Sequence, residues 1–119
     1  MKKTLTIIAT VLIAAATPFF AHAGAKGGSQ TNITHVNANS SDRYEIFFRA
    51  GEEACILVTG DGDTDLDLYV YDEDGDLVAY DDDYTDTCLV EWTPPYTQKY
   101  EIRIVNRGNV YNNYAIITN

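Results

Sequence analysis

Basic side chains are scarce in this 119-residue chain: eight Lys and Arg stand against 18 Asp and Glu, a formal charge of −10. A surface of that sign repels phosphate backbones and anionic headgroups, which argues against nucleic acid and acidic membranes as partners. Cysteine and histidine each occur only twice, and tryptophan once. Catalysis is left with few means. After position 23 there is one histidine, His35, and three serines, Ser29, Ser40 and Ser41, all ahead of the second expected strand and without a glycine-flanked elbow. Paired carboxylates can hydrolyse sugars, but here they are crowded together in a chain very small for a hydrolase. Helical periodicity is lacking throughout. Disorder is disfavoured too, because 45% of the residues are hydrophobic and nine are tyrosine.

The first residues carry the order of an export signal. Met1-Lys2-Lys3 is a positive head, Leu5 to Phe20 is apolar apart from threonines and Pro18, and Ala21-His22-Ala23 offers small residues where a signal peptidase reads. The run is short for a bilayer span and no later stretch replaces it. Residues 1–23 are therefore expected to be a signal peptide, with no cysteine after it to take a lipid, and the mature protein to be periplasmic or extracellular. Loss of Lys2 and Lys3 leaves 96 residues carrying −12. That length holds one small domain. Residues 24–31, rich in Gly and small side chains, read as a flexible tail, and 32–119 as the domain.

Short alternating runs between turn residues predict eight strands: Asn32–Asn37, Arg43–Arg49, Ala54–Thr59, Leu66–Asp72, Asp76–Tyr80, Thr87–Thr93, Tyr100–Asn106 and Tyr114–Thr118. In the fourth, Leu66, Leu68 and Val70 point one way while Asp67, Tyr69 and Tyr71 point the other. Gly75 suits the left-handed position that closes a three-residue hairpin loop. Eight such strands in under 100 residues predict an all-β fold, an antiparallel β-sandwich of jelly-roll type.

The stretch Gly60-Asp61-Gly62-Asp63-Thr64-Asp65-Leu66-Asp67-Leu68-Tyr69-Val70-Tyr71-Asp72 resembles the core signature of bacterial pre-peptidase C-terminal domains. Trp92-Thr93-Pro94-Pro95 followed by Tyr100-Glu101-Ile102-Arg103-Ile104-Val105 is similar to their closing strands. The resemblance runs from about Asp42 to Asn119 and implies a jelly-roll domain of the kind appended to secreted proteases and other hydrolases, some relatives binding calcium or extracellular polymers such as collagen. Two departures stand out: Gln98 occupies a position where that family often has Gly, and the domain is expected to stand without an attached enzyme.

Twelve acids and no base lie between Asp61 and Asp86, so all of the mature chain's net charge sits there. A Glu73-Asp74-Gly75 loop pairs Asp72 with Asp76, which sets Asp67 opposite Asp81 and Asp65 opposite Asp83; a one-residue slip brings Asp82 beside them instead. Opposed like charges destabilise a hairpin. One resolution is calcium, held by Asp61, Asp63, Asp65, Asp67, Asp81, Asp82 and Asp83, although the glycine and distal glutamate of an EF-hand are missing. The other is a solvated acidic rim whose aspartates cap turn amides.

Cys55 and Cys88, an even count in an exported chain, are expected to form a disulfide, the alternative being two buried thiols. Tyr69, Tyr71 and Tyr84 are candidates for a binding face, where each ring offers a flat apolar surface and a hydroxyl, and they equally serve as cover for a sheet. Trp92 reads as core. Together these features predict a non-catalytic exported module, calcium-binding, whose partner is an extracellular protein or polysaccharide. The alternatives are a self-assembling or enzyme-docking structural protein and, behind both, a small hydrolase.

Overall fold

A computed structural model describes residues 24–119; the expected signal peptide lies outside the described residues. Eight strands follow in chain order: β1 (Gln30–Val36), β2 (Ser41–Phe48), β3 (Ala54–Thr59), β4 (Leu66–Tyr71), β5 (Leu77–Asp81), β6 (Thr87–Trp92), β7 (Gln98–Asn106) and β8 (Asn112–Thr118). They form two four-stranded antiparallel sheets, ordered β1-β8-β3-β6 and β2-β7-β4-β5. This is the connectivity of an eight-stranded jelly roll.

Strand alternation explains the core. Val36, Phe48, Ile56, Val58, Leu66, Leu68, Val70, Ile102 and Ile104 are fully buried between the sheets. Burial of such side chains, about 1.5–3 kcal/mol each, is what favours the sandwich over the solvated chain. Trp92, expected in the core, is half-buried and packs against it, edge-on to Phe48 and Tyr100 with ring centroids 4.9 and 5.1 Å away. Gln98 is buried, and its Oε1 accepts the Glu73 amide at 3.2 Å. A glycine there has no side chain to hold the β4–β5 turn in that way.

The expected loose tail is pinned. Ala25 is buried, bridges Phe48, and donates its amide to the Asn119 carbonyl at 2.9 Å, while the Arg49 amide donates to the Gly24 carbonyl. Small residues at 24 and 25 allow this approach; a Cβ on Gly24 would lie 2.7 Å from the Glu53 carbonyl oxygen.

The disulfide is not formed. Both cysteines are buried free thiols. Their strands are neighbours, as a bridge requires, but Cys88 stands opposite Val58 and Cys55 opposite Glu91. The two are therefore three residues apart along the ladder, about 10 Å of strand, and on opposite faces of the sheet. A bridge needs Cα atoms within roughly 7 Å. Burial, reinforced by Glu91 and Glu53, pushes the Cys55 thiol up to about 12, and burial raises Cys88 as well.

Candidate functional site

The β4–β5 hairpin closes as its sequence dictates. Gly75 takes a φ of 84°, the Asp72 amide donates to the Asp76 carbonyl at 2.9 Å, and Asp72 Oδ1 accepts the Asp74 and Asp76 amides. Three residues on, the register shifts. Tyr71 pairs with Leu77, but Val70 pairs with Ala79, leaving Val78 as an extra residue in a bulge. Asp81 consequently stands opposite Leu68 and not opposite Asp67. Its Oδ2 reaches across to the other sheet and accepts the Leu89 amide at 2.9 Å.

Of the seven aspartates expected to hold a cation, Asp61, Asp81 and Asp83 accept amides of this chain. Asp61 accepts the Asp63 and Asn113 amides, at 3.0 and 2.8 Å. Asp83 Oδ1 accepts both the amide and the hydroxyl of Thr85 at 2.9 Å. These carboxylates cap turns. Among the described residues no group of three or more His, Cys, Asp or Glu side chains stands in an arrangement that could hold a metal ion.

Asp65 and Asp67 differ from the rest. Asp67 is buried, and its Oδ2 takes an ion pair from Arg107 Nε at 2.7 Å; Arg107 Nη2 also donates to the Tyr69 hydroxyl at 3.1 Å. Oδ1 of both aspartates is buried without a hydrogen-bond partner. Burial raises the Asp65 carboxyl above its ordinary value, helped by Asp67 and Asp83 and opposed by Arg107. The hydrogen bonds to Asp67 and Tyr69 raise Arg107 in turn. With respect to calcium the fit is partial: two orphaned oxygens ask for a cation, and most of the other carboxylates are already engaged.

Two residues not singled out from the sequence hold this end together. Arg107 comes from the β7–β8 turn, where its amide donates to the Asp65 carbonyl at 3.0 Å. Asn112, fully buried, donates to Thr64 Oγ1 and Asp86 Oδ2 and accepts the Asp61 amide. Gly60 sits against Asn112 and Asp86, where a Cβ would collide with the Asp86 carboxylate. The signal for both lies in topology, because only the jelly-roll order brings the β7–β8 turn beside the acidic loops.

The tyrosines separate. Tyr69 stacks on Tyr80 with centroids 6.5 Å apart, and Tyr71 lies under the Arg103 guanidinium at 4.8 Å. These rings share the outward face of the β2-β7-β4-β5 sheet. Tyr84 stands apart on the β5–β6 loop, 95% exposed. The hydroxyls of Ser29 and Ser40 donate to backbone carbonyls, and His35 packs edge-on against Tyr111. No helix among the described residues is long and apolar enough to cross a membrane.

No family model matches the sequence, and no curated protein matches it. Among solved structures, PliG of Aeromonas hydrophila, a periplasmic inhibitor of g-type lysozyme, is 12% identical over 76% of this chain and 83% of that one, with a TM-score of 0.57. PliG of Salmonella Typhimurium is 15% identical over 76% and 85%, TM-score 0.46, and a de novo designed double-stranded β-helix 13% identical over 76% and 99%, TM-score 0.45. At such identities the likeness to the Aeromonas protein is one of fold.

Proposed function

We propose that this protein is a non-catalytic exported module that works by binding another protein. The carrying observation is the kind of surface the fold presents. Among the described residues, side-chain chemistry gathers at an acidic, tyrosine-edged end whose carboxylates cap turns or pair with Arg107, and no serine hydroxyl there is hydrogen-bonded to His35. Such a surface suits recognition of a charged partner. The shared fold of Aeromonas hydrophila PliG, which inhibits g-type lysozyme, supports a protein partner over a polysaccharide. The amino-terminal pattern supports export, and the resemblance to pre-peptidase C-terminal domains supports a role outside the cytoplasm. Affinity capture from the producing cell's envelope and secreted fractions tests the reading. A protein retained in stoichiometric amount is expected; retention of glycan alone, or of nothing, contradicts it.

A calcium ion at Asp65 and Asp67 is the second reading, favoured by their two buried, unpartnered oxygens. Calcium accepts carboxylate ligands in flexible geometry, whereas magnesium demands a tighter octahedron. Binding to the folded state alone raises the melting temperature. The expected result is higher melting in millimolar calcium than in chelator at matched ionic strength, with magnesium weaker. Equal melting removes the metal.

A further inference from the structure

At the side of the sandwich where β5 and β6 meet, the two sheets end in a shallow groove of about 320 Å³. Leu77, Val78, Tyr80 and Leu89 line it and are 46, 38, 57 and 43% exposed. Single exposed apolar residues are ordinary; four around one groove mark a contact surface. At the edge of β6 the main chain is covered at Leu89 and turned outward at Glu91. The Leu89 amide points away from β3, since it is taken by Asp81, and in an antiparallel ladder Glu91, two residues on, points the same way. The stretch of chain that carries the groove has charge of one sign, and Glu91 lines the groove itself. From Asp72 to Trp92 there are nine acids and no Lys or Arg, and none of the nine is in an ion pair with another described residue.

We infer that the β5–β6 seam is the docking surface, and that it takes an extended segment of a basic protein in which apolar residues alternate with Lys or Arg. The inference rests on the protein-binding reading above and adds the surface and the partner's chemistry. Apolar side chains of the segment fill the groove beside Leu77 and Leu89, while its cations meet the acids that this chain leaves uncompensated. The outward-turned amide and carbonyl of Glu91 give it main-chain hydrogen bonds, as in strand addition. A second copy of this chain does not fit, because it brings the same acidic rim. The Val78 bulge blunts β5 against indiscriminate pairing.

Titration of the 15N-labelled protein with a short synthetic peptide of alternating valine and lysine tests this. Saturable amide shifts at residues 77–80 and 89–91 are expected, and a valine–glutamate peptide should produce none. Replacing the exposed pair, Tyr80→Ser with Leu89→Ser, should weaken the valine–lysine peptide by about tenfold or more without moving the melting temperature far. Shifts confined to the acidic loops, shifts at the β1–β2 side, an unchanged response of the double variant, or no saturable response each overturn the assignment. The two readings fail separately. A partner captured equally well by wild type and double variant leaves protein binding standing and removes the seam, whereas a wild type that captures nothing removes protein binding itself.

Discussion

Arg107 and the two aspartates it faces show how one side chain decides the state of this end of the molecule. Arg107 is half exposed, Asp67 almost wholly buried, so the guanidinium supplies charge to a carboxylate that water does not reach. Arg107→Ala leaves that carboxylate buried with no counter-charge, at an expected cost of about 1–3 kcal/mol. Asp67→Asn in the same chain should recover part of the loss, which urea midpoints of the two variants will show. Asp65 runs in the opposite sense. Its folded carboxyl holds its proton more tightly than the ordinary value of 3.8 allows. The folded state therefore binds more protons between the two values, and stability falls as pH rises through the folded one. Asp65→Asn should raise the melting temperature at pH 7 in chelator, and the gain should vanish below about pH 3.8. A gain that persists in acid would exclude ionisation as its cause. For the cysteines, alkylation of the unfolded, unreduced protein should label both Cys55 and Cys88, and a reducing agent should leave the melting temperature unmoved.

Strands and turns were legible in the sequence to within a residue or two, because each rests on local chemistry. Leu66, Leu68 and Val70 alternate with polar neighbours, and Gly75 alone fits the φ of 84° at the hairpin. Gly75→Ala should accordingly cost about 1 kcal/mol in denaturant unfolding while leaving the strand order intact. The bulge was not legible. Leu77, Val78 and Ala79 are three apolar residues in a row, and nothing in their types says which one drops out of the ladder. That single extra residue turned Asp81 from a partner of Asp67 into a cap on β6. The cysteines misled for a related reason. Parity of count argues for a bridge, but faces and register decide it, and these follow from pairing over long stretches of chain. Arg107 and Asn112 escaped notice because their contacts lie about 40 to 50 residues away in sequence.

At the scale of the whole molecule, charge and fold are in tension. Twelve acids in one 26-residue stretch repel one another across loops that the jelly roll draws together. Added sodium chloride should raise the melting temperature at neutral pH by screening them, a response that calcium must exceed at equal ionic strength to count as binding. The same unbalanced field attracts cationic proteins and speeds their approach, with a strong dependence on salt. Our central claim is that the molecule acts by holding a protein partner rather than by transforming a substrate. Capture on the immobilised protein from the producing cell's extracytoplasmic fractions, eluted with a salt gradient and identified by mass, addresses it most directly. The account predicts one basic protein, retained near one-to-one and released as salt rises. An empty column, or purified protein that turns over peptide or glycan substrates, would contradict it.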